Sequence, residues 1–142
     1  MLYDGVCGLC NRSVRYILDR DRTDRFRYAS LQSPLASTVL AKYRKDPKDL
    51  DTFYLIENYG AASEKMLCRG RAALHVLVKL GGVRVLWAPF LVFPDVVLDV
   101  VYKYVARNRY RWFGKLDACP LPNPGDAEKF LDEAKAASFA PS

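Results

Sequence analysis

The chain has 142 residues, of which 51% are hydrophobic and 27% are charged. This length and balance predict one domain that buries roughly two-thirds of the surface its unfolded form exposes, and they exclude a disordered or fibrous chain. The formal net charge of +6 favours acidic partners or anionic surfaces without requiring nucleic acid.

The cysteine content points to a reducing environment. Four cysteines, Cys7, Cys10, Cys68 and Cys119, are too few and too unevenly spread for a secreted disulfide scaffold of this length. We therefore expect the cytoplasm or an organellar matrix, and a catalytic or metal-binding pair. No signal or transit peptide opens the given chain, although its short first strand is compatible with a clipped precursor.

The first elements follow one another closely along the chain. Leu2-Tyr3 is the visible end of a first strand, and Asp4-Gly5 is a turn. Apolar residues then recur at helical spacing, which predicts a helix from Gly8 to about Arg20. The alternating segment 26–31 predicts a second strand. Ser33-Pro34 is typical of an N-cap followed by proline at the first helical position, so a second helix should end before Pro47.

The next segment is predicted to be a hairpin followed by a helix. A buried strand over 52–56 turns at Asn58-Tyr59-Gly60 into a weaker strand over 62–66. Helical spacing returns from Gly70 to Leu80 and is stopped by Gly81-Gly82.

The apolar run from Val83 to Val101 resembles a membrane span in composition. Two prolines and two aspartates interrupt it, and the remaining stretches are shorter than the ~20 residues that a bilayer helix needs. We therefore predict no transmembrane span but two short buried helices around a proline turn. The second should run from about Asp95 to Asn108 and turn these side chains inward: Val97, Leu98, Val101, Tyr102 and Val105. Residues 119–125 form a predicted linker, and Asp126 caps a predicted short helix to about Ala137.

The stretch Cys7-Gly8-Leu9-Cys10 places two thiols at the junction of the first strand and the first helix. A cysteine at a helix N-terminus faces unpaired backbone N–H groups and the positive end of the helix dipole, which favour its thiolate. We expect Cys7 to be the exposed attacking thiolate and Cys10 to be the shielded resolving thiol. Two ordinary buried cysteines are the simpler alternative. A zinc site would need about four ligands, which this chain does not offer, so no metal or organic cofactor is expected.

The predicted order β-α-β-α-β-β-α, with the dithiol after the first strand, is the thioredoxin-like arrangement. Three segments together, Leu2 to Asn11, Leu80-Gly81-Gly82 and Val105 to Arg111, resemble the DCC family of thiol-disulfide oxidoreductases. That family is named for an aspartate and two cysteines, which match Asp4, Cys7 and Cys10 here. The resemblance implies an α/β thioredoxin-like fold with a helical C-terminal extension. We assign this domain to residues 1–122, and a linker, short helix and tail to 123–142.

Asp4 has two candidate roles, to accept or relay the proton of Cys10 or to hold the turn through its side chain. In either role its negative charge should raise the pKa of Cys7. Thioredoxin-like proteins usually carry a cis-proline just before the third strand, and Thr52 stands there instead. We expect Gly8, Leu9 and Thr52 to contact the substrate.

The remaining polar residues have both structural and functional interpretations. Arg12 and Arg15 would lower the pKa of Cys7, but a solvated helix face is the favoured interpretation. The structural interpretation is favoured for His75, as a core histidine, and for Cys68 and Cys119, as packing residues. The structural interpretation is also favoured for a basic and aromatic helix, which is expected to stabilise the fold by bonding helix ends or acidic residues. Its residues are Lys103, Arg107, Arg109 and Arg111, with Tyr104, Tyr110, Trp112 and Phe113.

The sequence thus predicts a protein-disulfide oxidoreductase whose partner is a disulfide- or thiol-containing protein or a small thiol such as glutathione. No nucleic-acid partner is expected. The alternative is a non-catalytic interaction module or redox sensor that binds an anionic surface through its basic helix.

Overall fold

The computed structural model describes residues 1–46, 48–117 and 123–132. Four strands form one mixed sheet in the order β2-β1-β3-β4, with β1 parallel to β2 and antiparallel to β3, and β3 antiparallel to β4. The strands are β1 (Leu2–Tyr3), β2 (Ala29–Ser30), β3 (Tyr54–Glu57) and β4 (Lys65–Cys68). The α-helices are α1 (Gly8–Leu18), α2 (Pro34–Lys42), α3 (Arg69–Lys79) and α4 (Asp95–Phe113). Two 3-10 helices cover Gly82–Val92 and Ala127–Lys129.

This topology confirms the predicted α/β thioredoxin-like fold with a helical extension. Alternate residues of a strand face opposite sides of a sheet, and the sheet accordingly separates two cores. Tyr3 and Leu55 belong to the core under α1 and α3, whereas Leu2 and Tyr54 belong to the core under α2. Helix α4 packs on α3 and α1.

Several predicted boundaries shift. Strand β2 covers only Ala29–Ser30, and β4 begins at Lys65 rather than at residue 62. Ser33 caps α2 as predicted, since its side chain accepts from the N–H of Ala36. Gly81 and Gly82 end the α3 region with φ of 71° and 65°, a backbone region that glycine tolerates best.

The prediction of two buried helices over 83–101 is wrong. The first is a 3-10 helix without a buried residue, and Val83, Leu86 and Val92 are 78%, 76% and 86% exposed. Helix α4 extends to Phe113, and its Val97 and Val101 point outward rather than inward. The helical spacing was correct, but α3 packs against only one side of the 3-10 helix and of the first half of α4. Within the described residues no single helix is long and apolar enough to cross a membrane; the pair 82–92 and 95–113 passes that test jointly but is bent by 119°.

The segment after the predicted linker returns to the sheet. Phe130 stacks on Tyr28 with ring centroids 5.2 Å apart, and the backbone N–H of Leu131 donates to the Tyr28 carbonyl at 2.8 Å. The predicted helix from Asp126 begins as the 3-10 helix Ala127–Lys129. Its predicted continuation to Ala137 and the predicted role of Cys119 lie outside the described residues. The domain division at residue 122 stays a prediction.

Candidate active site

The two thiols lie at the start of α1, as the sequence predicted. Cys7 is the N-cap residue with an extended backbone, and its sulfur accepts a hydrogen bond from the N–H of Cys10 at 3.3 Å. The two side chains also interact with each other, and this interaction shifts the pKa values of the two thiols in opposite directions. Both cysteines are free in this structure. The two cysteines therefore form a free dithiol at the N-terminus of α1.

The hydrogen bond between the thiols separates their pKa values. The donor thiol of Cys10 lowers the pKa of Cys7 from 9.0 to about 6, with smaller contributions from the Cys10 N–H and the Arg109 guanidinium. Burial and the Asp4 carboxylate act in the opposite direction, and the predicted effect of Asp4 on Cys7 is thus confirmed. The same hydrogen bond raises the pKa of Cys10, because Cys10 must keep its proton to donate it.

The expected exposure of the two cysteines is reversed. Cys7 is completely buried, whereas Cys10 is partly exposed and lines a cavity of about 450 Å³ between α1, α3 and α4. The sequence argument considered only the helix end and not what lies over it. A distant segment covers this end, and the helix N-terminus is consequently not open to solvent.

We call residues 113–116 the strap, because they run across the start of α1. The N–H of Gly8 donates to the Gly114 carbonyl at 3.2 Å, and the N–H of Leu116 donates to the Val6 carbonyl at 2.7 Å. Cys7 and Lys115 thereby form an antiparallel bridge. A Cβ atom added at Gly8 would lie 2.2 Å from the Phe113 carbonyl oxygen. Gly8 therefore permits the close approach of the strap to the dithiol.

Asp4 lies in a buried polar network below the dithiol. Its side chain is 1% exposed and pairs with Arg109, whose side chain is 3% exposed, at 3.1 Å. Asp4 also accepts from the Tyr110 hydroxyl, from Gln32 Nε2 at 2.8 Å and from the N–H of Val6 at 3.2 Å. The last bond is the turn-holding contact that the sequence suggested. The N–H of Cys7 donates to the Asp4 carbonyl at 3.2 Å, whereas within the described residues no hydrogen bond joins the Asp4 carboxylate to either cysteine.

Arg109 connects this network to the loop before β3. Its Nη2 atom donates to the Leu50 carbonyl and to Asp51 Oδ1, each at 3.0 Å. Its Nε atom is buried without a hydrogen-bond partner. The expectation that the basic helix stabilises the fold by bonding acidic residues is confirmed for Arg109. The guanidinium that favours the Cys7 thiolate is also that of Arg109, whereas Arg12 and Arg15 lie on the exposed face of α1.

The other predicted residues are placed as follows. Leu9 lines the cavity beside Cys10, and Thr52 is buried and donates to Asp49 Oδ2 at 2.9 Å. The described residues contain no cis peptide bond. Cys68 is a free, partly buried cysteine that packs against the core under α2, in agreement with a packing role. His75 is partly buried beside Glu57, with Nδ1 3.4 Å from Oε1.

Sequence reasoning missed Gln32 and Asn11. Gln32 accepts from the N–H of Gly5 at 3.1 Å, and Asn11 Nδ2 donates to the Gly5 carbonyl at 2.6 Å and to the Cys7 carbonyl at 3.0 Å. Both side chains thus fix the loop between β1 and α1. Asn11 directly follows the dithiol motif and was a recognisable candidate, whereas no local signal marks Gln32. Within the described residues no cluster of ligating side chains could hold a metal ion.

Comparison with known proteins agrees with this geometry. The family model for DCC1-like thiol-disulfide oxidoreductases matches residues 1–115. The chain belongs to this family. It is 37% identical over 131 residues to the uncharacterized protein YuxK of Bacillus subtilis (strain 168), covering 92% of each chain. It is 35% identical over 122 residues to the chloroplastic DCC family protein At1g52590 of Arabidopsis thaliana, covering 85% of this chain and 68% of that protein. No solved structure matches.

Membership of this oxidoreductase family agrees with the geometry of the site. The family match covers every element that supplies the dithiol network, from β1 through α1 to the end of α4. Family membership implies thiol or disulfide partners. The matched residues include the strap up to Lys115. The buried pair of Asp4 and Arg109 and the thiol pair Cys7 and Cys10 therefore all lie within the matched residues.

Proposed function

We propose that Cys7 and Cys10 exchange a disulfide with a thiol- or disulfide-containing protein or with a small thiol such as glutathione. The observation that carries this proposal is the position of Cys7 as the N-cap of α1, where its sulfur accepts from the N–H of Cys10 at 3.3 Å. The neighbouring Cys10 thiol lowers the pKa of Cys7 to about 6. A thiol with that pKa is mostly ionised at neutral pH, and the thiolate is the species that attacks a disulfide.

In the proposed reduction of a partner, the Cys7 thiolate attacks one partner sulfur. The partner disulfide breaks, its second sulfur leaves as a thiolate, and Cys7 is held in a mixed disulfide. Cys10 then gives its proton to solvent or to the departing thiolate and attacks the Cys7 sulfur. The mixed disulfide breaks, the partner leaves as a dithiol after protonation, and the Cys7–Cys10 pair has lost two electrons. The reverse sequence would oxidise a partner dithiol.

The order of attack follows from the electrostatics of the reduced pair. Cys10 keeps its proton while it donates to the Cys7 thiolate. When Cys7 becomes part of a mixed disulfide, it loses its negative charge, and the main cause that raises the pKa of Cys10 disappears. The resolving thiol is thus activated only after the first attack. In this scheme Asp4 holds the turn before Cys7 and the side chain of Arg109. Its negative charge also opposes the lowering of the Cys7 pKa.

Substrate contact requires the strap to move, because Cys7 is completely buried in the closed arrangement. We assign the docking surface to Gly8 and Leu9, which lie between the cysteines, and to Thr52 on the loop that Arg109 ties to Asp4. The exchange itself needs no metal or organic cofactor. The cytoplasm or an organellar matrix suits a pair that is re-reduced after each turnover.

The proposal is tested by equilibrating the protein in defined glutathione buffers and trapping its thiols. We expect a reversible transition between the dithiol and the Cys7–Cys10 disulfide, and turnover in an insulin reduction assay. Cys7→Ser should abolish turnover, whereas Cys10→Ser should accumulate a mixed disulfide on Cys7. Cys68→Ser, a partly buried free cysteine away from the site, is the matched control. Turnover that survives Cys7→Ser, or a pair that never oxidises, would refute the assignment.

A further inference from the structure

The exposed side of the 3-10 helix and of the first half of α4 is apolar. We call this surface the apolar corner and define it by the exposed hydrophobic side chains of residues 83–101. Six of them illustrate it: Leu86, Trp87, Val92, Val96, Val97 and Val100. Val92, Leu86 and Val96 are 86%, 76% and 75% exposed. Monomeric soluble proteins rarely expose a contiguous apolar patch of this kind unless something else covers it.

The two carboxylates in this run are paired with cations of the chain itself. Arg71 pairs with Asp95 and also donates to the Phe93 carbonyl at 3.3 Å, and Arg69 pairs with Asp99 at 3.2 Å. Both arginines belong to α3, on which the corner packs. The apolar corner is therefore left without an unpaired negative charge.

The second half of α4 is basic on the same side of the helix. Lys103 and Arg107 follow Val96 and Val100 by seven residues, which is two helical turns and roughly 10 Å along the axis. Both are exposed, as is Arg111 one turn further. Within the described part of the chain, no ion pair engages any of these three cations. One face of α4 thus changes from apolar to cationic along its length.

Aromatic side chains lie both in the apolar corner and in the basic half of α4. Phe90 contacts Trp87 and Phe93, with ring centroids 5.3 Å and 5.8 Å apart. In the basic half, Tyr104 contacts Trp112 edge to face at 5.8 Å. Tryptophan and tyrosine are enriched where apolar chains meet lipid headgroups, because their rings have one apolar side and one polar group.

We propose that this face docks the protein onto a lipid bilayer that contains anionic headgroups. The chain bends by 119° between the two helices, and Val92 and Phe93 at this bend are both exposed. The bend enters the boundary of the acyl chains. Peripheral helices bury their apolar side ~5–10 Å deep. Lys103, Arg107 and Arg111 follow Val96 by roughly 10, 16 and 22 Å along the helix axis and then lie at the headgroups.

Charge complementarity selects the bilayer over other occupants. In a parallel pairing of two copies, the cations of one α4 would face those of the other in a chain whose net charge is already +6. A nucleic acid would satisfy the cations but would leave the valines and Leu86 against a charged backbone. An anionic bilayer offers an apolar layer beside a negative layer, which is the order in which the apolar corner and the cations follow one another along α4.

The test is sedimentation of the full chain with vesicles, and it is independent of redox activity. One set of vesicles is pure phosphatidylcholine, and the other contains phosphatidylglycerol. We expect binding to the anionic vesicles that weakens as salt is raised. Lys103→Glu with Arg107→Glu should weaken it by about 25-fold or more, because each cation near an anionic surface contributes roughly five-fold. Lys45→Glu with Lys48→Glu makes the same charge change on exposed residues after α2 and should largely preserve binding.

A second pair of variants separates insertion from charge attraction. Val92→Ser with Val96→Ser should also weaken binding while the circular dichroism spectrum stays unchanged. In Trp112→Phe, the emission of Trp87 should shift to the blue when anionic vesicles are added. The proposal is overturned if the protein does not bind the anionic vesicles, or if both charge-reversed variants lose binding equally. It is also overturned if the emission of Trp87 does not shift. A stable dimer that Val92→Ser dissociates, without vesicle binding, would instead assign the corner to a second copy.

Discussion

The strap that covers Cys7 gives a prediction about the reactivity of this thiol. Its closed position depends on the hydrogen bond of 2.7 Å from the Leu116 N–H to the Val6 carbonyl. Leu116→Pro removes this donor, and the extended bridge conformation of Lys115 is compatible with a following proline. The perturbation therefore weakens the strap at one bond while leaving both cysteines in place.

The magnitude follows from the value of one backbone hydrogen bond. Its net contribution is about 0.5–1.5 kcal/mol, so its loss should raise the population of the open strap about two- to thirteen-fold. Cys7 is completely buried when the strap is closed, and an alkylating reagent should reach it only in the open state. The rate of Cys7 alkylation should rise by the same factor.

The assay is alkylation with iodoacetamide under reducing conditions, followed by mass spectrometry of the separate cysteine peptides. Leu116→Ala is the matched control, because it removes the side chain but keeps the N–H. Cys68 serves as an internal control for general loosening of the fold. The reasoning fails if Leu116→Pro and Leu116→Ala react equally fast at Cys7. It also fails if the Cys68 rate rises as much as the Cys7 rate.

Three further predictions concern the network and the close approach at the dithiol. Arg109→Gln should lower the free energy of unfolding by about 3–5 kcal/mol, because it leaves Asp4 buried without its cation. It should also raise the pKa of the Cys7 thiol, measured by thiolate absorbance at 240 nm. An unchanged urea midpoint would contradict the predicted loss of stability. The pKa of Cys7 is lowered from 9.0 to about 6 in the fold, so its contribution to the stability of the reduced protein should grow as pH rises from 6 to 9 and be lost as pH falls back towards 6. Above pH 9 the raised pKa of Cys10 acts in the opposite direction. Urea titrations between pH 6 and 9 should show this slope in the difference between the wild type and Cys7→Ser, and a flat difference would argue against it. Gly8→Ala should lower the melting temperature and the free energy of unfolding, the latter by about 1–3 kcal/mol, because its Cβ would lie 2.2 Å from a backbone oxygen. Gly125→Ala, whose Cβ would meet nothing within 4 Å, should have almost no effect. Equal melting temperatures of the two variants would show that the strap moves away from Gly8 without loss of stability.

Much of the fold could be predicted because its signals are local. Each signal depends on contacts within a few residues of the chain. Examples are the strand at Leu2 and Tyr3, the helix cap at Ser33 and the glycines that end α3. The position of Cys7 at the start of α1 is of the same kind, since it depends on a turn and a helix that are adjacent in the chain. The repulsive effect of Asp4 on the thiolate followed from their separation by three residues.

The errors concern contacts between residues that are far apart in the chain. Exposure of Val92 and Val97 could not be predicted from helical spacing, which gives the faces of a helix but not whether anything packs on them. The sequence likewise predicted an exposed Cys7, because nothing near it reveals that residues 113–116 return to cover it. The interpretation of Arg12 and Arg15 as a solvated helix face is confirmed, since both are exposed. No local pattern in the sequence indicated that Arg109 acts on Cys7, because Arg109 is near in space and distant in sequence.

The dithiol, its helix position and its family are thus determined by a short sequence motif and by periodicity. The tertiary structure alone decides the access to that dithiol and the charge around it. Burial of Cys7 requires the strap to meet the start of α1, and the pairing of Asp4 with Arg109 joins residues 105 positions apart. Such contacts depend on how the helices pack over the sheet, and no local pattern in the chain encodes that packing directly.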